Sequence, residues 1–168
     1  MTAEPLHQRA ADLLAALAAE GATLSVAESV TGGLLAAELT AVAGASGVFR
    51  GGVIAYATGV KRSTLGVPDQ LVRSAGVVSS EMAEAMAAAV RERLDSTYAL
   101  SSTGVAGPDR QEGKPPGTVH VAVAGPGANE VLALALTGDR HTIRRAACEA
   151  AIDLLHRRLA AAGTSEDW

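Results

Sequence analysis

Aromatic side chains are almost absent from this chain: one Trp, two Tyr and one Phe make up 2% of its 168 residues. Nucleic-acid binding uses rings for base stacking and a basic face for phosphates, and a net charge of -4 offers no such face in bulk, so no nucleic-acid partner is expected. Cysteine is reduced to Cys148, which excludes an internal disulfide and fits a reducing compartment; a cytoplasmic location is expected. No apolar run approaches the roughly 18 residues of a membrane span, so no membrane association is expected. The short apolar stretch from Leu13 to Ala22 is interrupted by charge at Asp12 and Glu20 and follows no basic cluster, so it reads as a surface helix rather than a signal peptide. Lysine is scarce too. Of 14 basic residues only Lys61 and Lys114 are Lys, and Arg cannot lose its proton to act as a base.

What the chain does contain is 48% hydrophobic and 19% charged residues, the balance of a single globular domain spanning residues 1–168. At this length roughly 70% of the unfolded surface can be hidden, so neither metal nor disulfide is needed to hold the fold. Leu6, Ala10, Leu13, Leu14 and Leu17 recur at helical spacing until Gly21. Leu24 to Glu28 reads as a buried strand, and after a polar, glycine-containing turn Leu35, Leu39 and Val42 mark a helix. Val48 to Ala57 reads as a second strand in which Gly51 and Gly52 form a bulge or permit close backbone approach. A short helical piece over Lys61 to Leu65 and another after Pro68 follow. Ser79 or Ser80 then caps a helix with Met82, Met86, Val90 and Leu94 on one face. Thr97 to Ser102 is a third strand, Gly104 to Gly117 a long aperiodic loop, and Val119 to Ala124 with Val131 to Leu136 a hairpin. Asp139 caps a final helix carrying Ile143, Ala147, Ala150 and Leu154. The order predicts an α/β domain with a mixed sheet layered between helices.

Chemistry gathers at strand ends in such sheets, which singles out Ser29 after the first strand and Thr103 after the third. Gly32 and Gly33 would let a ligand approach the backbone, and free amides at the following helix start would favour a phosphate or a developing oxyanion. Equally, Ser29 or Thr31 could simply cap that helix. Lys61 follows Tyr56 by five residues; read locally it is an exposed lysine near a turn, whereas activating a serine would require its pKa to fall well below about 10.4. Glu28 is open to two roles, a catalytic acid or the partner of a cation. Gly113-Lys114 is not a phosphate loop, since five residues rather than four separate Gly107 from Gly113 and Pro115 replaces the magnesium-binding Ser or Thr. The four histidines show no metal-ligand spacing. Arg140, beside Asp139 and His141, is a candidate anion contact.

Taken together, Ala27-Glu28-Ser29-Val30-Thr31-Gly32-Gly33, Tyr56 through Lys61, Ser102-Thr103-Gly104-Val105-Ala106-Gly107-Pro108 and Lys114-Pro115-Pro116-Gly117-Thr118-Val119 resemble, in this order, the CinA C-terminal domain family. The resemblance runs from the first helix to the last and is to a standalone member, without the amino-terminal companion domain of longer relatives. It implies a three-layer α/β/α domain and a homo-oligomer, foremost a dimer. The family includes nicotinamide-nucleotide amidohydrolases of the PncC type, which turn nicotinamide mononucleotide into nicotinic acid mononucleotide and ammonia for pyridine-nucleotide salvage, with no cofactor and no metal. By motif, the resemblance implies Ser29 as nucleophile, Lys61 as its proton acceptor and Thr103 as a hydroxyl partner. The resemblance further implies that Tyr56 and Arg140 support the substrate and that Thr31, Gly32, Gly33, Gly104, Ala106 and Gly107 shape the substrate and oxyanion region. Val30 stands where the family often has Cys, Thr58 where Asn is common, and Arg110-Gln111 where glycines are usual. The rival expectation is a noncatalytic nucleotide- or phosphate-binding module of a competence or damage-inducible protein, because glycine-rich turns and helix starts also hold anions without transforming them.

Overall fold

A computed structural model of the chain describes residues 5–163. Six α-helices, α1 (Leu6–Ala19), α2 (Leu34–Thr40), α3 (Thr58–Ser63), α4 (Asp69–Ala75), α5 (Ser80–Leu94) and α6 (Arg140–Gly163), accompany five strands, β1 (Leu24–Glu28), β2 (Phe49–Ile54), β3 (Tyr98–Gly104), β4 (Thr118–Ala124) and β5 (Glu130–Ala135). The strands form one open sheet in the order β2-β1-β3-β4-β5. β1 pairs in parallel with β2 and β3, and the remaining two pairings are antiparallel. The mixed α/β sheet expected from the element order is present, with helices on both faces. On one side Leu13 and Leu17 of α1, Leu35 and Leu39 of α2 and Ile143, Ile152 and Leu155 of α6 pack on Leu24, Val26, Leu100, Val119, Val121 and Val123. On the other, Met82, Met86 and Val90 of α5 pack on Ala27, Ala99 and Val105. Each large apolar side chain so buried contributes about 1.5–3 kcal/mol. Among the described residues no helix is long and apolar enough to cross a membrane.

Local choices follow from side-chain chemistry. Ser79, rather than Ser80, caps α5, its Oγ accepting from the Met82 amide at 3.1 Å. Asp139 caps α6 by accepting from the Thr142 amide at 2.8 Å. Both readings of Gly51-Gly52 hold in part. The β1–β2 register shifts between Leu24 and Ser25, opposite Phe49 and Gly51, and a Cβ on Gly52 would lie 2.9 Å from the Val26 carbonyl oxygen. α3 begins at Thr58, three residues ahead of the expected helical piece, so Lys61 lies inside it rather than at its start.

Because β1, β2 and β3 run parallel, their carboxyl ends share one edge. Glu28 is level with Ile54 on one side and Ser102 on the other. The chain leaves β1 toward α2 on the first face and leaves β2 toward α3, α4 and α5 on the second, so the edge is left to loops.

Candidate active site

The pairing continues one residue past β1, with the Ser29 amide donating to the Ser102 carbonyl at 2.9 Å and the Ala55 amide to the Glu28 carbonyl at 2.7 Å. This brings Ser29 beside the end of β2, where the chain turns into α3. Lys61 sits on the turn of α3 that faces back toward the sheet. It is buried, with 1% of its surface exposed. Its Nζ donates to Ser29 Oγ at 2.9 Å, to the Ala55 carbonyl at 2.7 Å and to the Tyr56 carbonyl at 3.2 Å. The exposed lysine of the local sequence reading is therefore corrected: the end of β2 supplies polar partners for a cation that burial would otherwise expel. Burial pushes its pKa down to about 8, against an opposing pull from the Glu112 carboxylate.

The three partners give the amine a direction. A neutral lysine has two N–H bonds and one lone pair. With both hydrogens on the Ala55 and Tyr56 carbonyls, the lone pair faces the Ser29 hydroxyl. The arrangement can take a proton from Ser29 once Lys61 is neutral.

Ser29 opens onto a cavity of about 450 Å³ lined by Ser29, Val30, Tyr56, Val77, Val78, residues 103–111 and Arg140. Arg140, in the first turn of α6, spans part of its mouth, donating to the Gly107 carbonyl at 2.6 Å and to the Tyr56 hydroxyl at 2.9 Å. Of the expected site residues, Ser29, Tyr56, Thr103, Gly104, Ala106, Gly107 and Arg140 all line this cavity, and Lys61 lies directly beneath Ser29. The Thr103 hydroxyl donates to the Val77 carbonyl at 2.5 Å.

Beyond Ser29 and Val30, the first motif lies outside the cavity lining. Thr31 is fully buried with its hydroxyl 2.6 Å from that of Ser102, and neither Gly32 nor Gly33 reaches the lining. The sequence expectation of free amides at the α2 start is corrected. Glu28 takes them: Oε1 accepts from Gly33 at 3.2 Å and Leu35 at 2.8 Å, and Oε2 from Ala36 at 3.0 Å. Glu28 is thus neither a catalytic acid nor the partner of a cation but the anionic cap of α2. Neither Ser29 nor Thr31 caps that helix; its N-cap is Gly33, without a side-chain bond. Amides without a protein acceptor do occur elsewhere on the cavity wall. Among the described residues Val30, Tyr56, Ala106, Gly107, Asp109 and Arg110 donate their N–H to no protein atom. Sequence reading missed Val77 and Val78, whose place in the wall depends on contacts far along the chain, and left Asp109, Arg110 and Gln111 unassigned.

Among the described residues no group of three His, Cys, Asp or Glu side chains could hold a metal ion. Cys148 is in the core, where burial pushes its thiol up and leaves it inert.

The CinA C-terminal domain matches residues 6–159. A CinA-like protein of Frankia casuarinae is 53% identical over 154 residues, covering 92% of this chain and 36% of the relative. One from Acidobacterium capsulatum is 45% identical over 140 residues, covering 83% and 34%. The chain thus spans about a third of the length of the curated relatives it matches. Among solved structures, the competence damage-inducible protein A of Klebsiella pneumoniae superposes with a TM-score of 0.91 at 32% identity, covering 94% of this chain and 98% of that one. The competence/damage inducible protein CihA of Agrobacterium tumefaciens gives 0.88 at 32% identity, with the same coverage. With the family model matched over residues 6–159 and 92% of its length aligned to a CinA-like relative at 53% identity, this chain belongs to the CinA C-terminal domain family.

Proposed function

We propose that this domain hydrolyses the carboxamide of nicotinamide mononucleotide, giving nicotinic acid mononucleotide and ammonia, with Ser29 as nucleophile and Lys61 as base. The observation that carries the reading is the 2.9 Å contact between a buried lysine amine and a serine hydroxyl at the floor of an open cavity. Neutral Lys61 removes the Ser29 proton while Oγ attacks the carboxamide carbon. The amides of Val30, Ala106 and Gly107 supply donors for the oxyanion, in keeping with their lack of other acceptors. Lysine returns the proton to the leaving nitrogen, and ammonia departs as the C–N bond breaks and the acyl-serine ester forms. Water, deprotonated by the same lysine, then cleaves the ester to release the carboxylate and restore Ser29. The sequence requires neither metal nor redox cofactor.

Arg140 gives the mouth a positive charge suited to the nucleotide's phosphate, and its bond to the Tyr56 hydroxyl holds it in place. Binding energy from the phosphoribosyl group then positions the carboxamide over Ser29, so free nicotinamide should be a much poorer substrate. Ammonia release measured on both compounds is expected to give kcat/KM at least about 10²-fold higher for the nucleotide, with the rate unaffected by EDTA. Tight binding of the nucleotide with no ammonia release would support a noncatalytic binding module instead.

A further inference from the structure

Val77 and Val78, in the connection from α4 to α5, form one part of the cavity wall, and residues 106–111 of the β3–β4 loop form another. Glu112 lies just past that lining and joins the two. Its Oε1 accepts from the Val77 amide at 2.9 Å and its Oε2 from the Val78 amide at 3.1 Å. The Val78 carbonyl accepts from Lys114 Nζ, and the Val77 carbonyl from Thr103 Oγ1 at 2.5 Å. Every backbone donor and acceptor of this dipeptide is therefore held by a side chain of β3 or of the loop that follows it. The approach is close: a Cβ on residue 76 would lie 2.5 Å from Glu112 Oε2 and would have to displace that carboxylate, and the φ of +79 at Gly76 favours glycine in its own right.

Resting on the amidase reading above, we propose that Glu112 is a positioning residue whose carboxylate, with Lys114 and Thr103, clasps the cavity-lining loop to the Val77–Val78 wall and so fixes the shape of the substrate cavity. It does not line the cavity and acts through the residues it holds. The amides of Ala106 and Gly107 lie on the segment whose far end it anchors. Its charge has a second effect, raising the Lys61 pKa against the effect of burial. The charged and titratable groups around the clasp are Lys114, 3.8 Å from Glu112 on the same loop, Lys61 of α3, and beyond Lys114 His120 of β4 and Glu81 of α5.

Two variants separate the clasp from the charge. Glu112→Gln keeps one acceptor oxygen and removes the charge; Glu112→Asp keeps the charge on a side chain one methylene shorter. Amide hydrogen exchange at Val77 and Val78, which needs no substrate, is expected to quicken about tenfold or more in both. On nicotinamide mononucleotide the limiting kcat/KM should fall roughly 10- to 100-fold in both, mostly through KM. The acidic limb of the pH profile should move to lower pH in Glu112→Gln and stay near its wild-type position in Glu112→Asp, a difference that a merely structural role would not produce. Wild-type exchange at Val77 and Val78 in folded Glu112→Gln, or in folded Glu112→Asp should the first variant not fold, would overturn the clasp. Failure of the wild-type protein to release ammonia would instead overturn the amidase reading, with the exchange measurement still deciding whether the clasp exists.

Discussion

Lys61→Arg is expected to lower kcat/KM for ammonia release by about 10³-fold or more while leaving the protein folded. The substitution preserves positive charge and hydrogen-bond donors but not the proton transfer, because a guanidinium stays protonated at any pH the protein survives. Lys61 has three acceptors around one small amine, at 2.9, 2.7 and 3.2 Å. A planar guanidinium can satisfy the Ala55 and Tyr56 carbonyls, yet it has no lone pair to turn toward Ser29. Lys114→Arg, which alters the clasp at the Val78 carbonyl but no proton transfer, should cost about tenfold at most. Steady-state kinetics on both variants, with circular dichroism and thermal unfolding to confirm the fold, checks the contrast. Near-normal turnover in folded Lys61→Arg would return Lys61 to a structural role.

Ser29→Ala is expected to abolish turnover to within the residual rate of direct water attack, a loss of about 10³- to 10⁶-fold in kcat. Binding should survive. Ser29 is 8% exposed at the floor of the cavity, whereas the charge assigned to the phosphate is on Arg140 at the mouth, so removing one hydroxyl leaves the nucleotide's main anchor intact. Isothermal titration on Ser29→Ala is expected to give a Kd within about threefold of the wild-type value, since the bond from Oγ to the carboxamide carbon forms only on reaction and does not enter substrate binding. Loss of turnover without loss of binding separates a nucleophile from a contact residue. Retained turnover would place the chemistry on another group.

The fold was largely legible because its strands are short apolar runs bounded by glycine and polar turns. The final helix and α5 announce their starts with Asp139 and Ser79, whose side chains reach the amides three residues on. The site was legible only in part. Ser29, Thr103 and the Gly104–Gly107 turn follow from their positions at strand ends, a property of the local chain. Lys61 does not, since nothing in its neighbours says that α3 starts at Thr58 and folds the amine back beneath Ser29, 32 residues earlier in sequence. Glu28 was ambiguous for a similar reason: a cap drawn from the preceding strand, five to eight residues before the amides it serves, has no standard spacing. The Glu112 clasp spans 34 and 35 residues, and the Arg140 bridge to Tyr56 spans 84. Long-range polar contacts of this kind leave no periodic trace in the sequence.

The central claim is that a buried lysine, neutral in its working form, takes the proton of Ser29. The most direct test is the dependence of wild-type kcat/KM on pH, measured by ammonia release from nicotinamide mononucleotide over about pH 6 to 10. Burial lowers the pKa of the free-enzyme lysine to about 8. The neutral fraction therefore grows as pH rises through that value, and the rate constant should climb about tenfold per unit on the acidic side and level off above it. A profile that is flat through this range, or that falls as pH rises through about 8, would contradict Lys61 as the base.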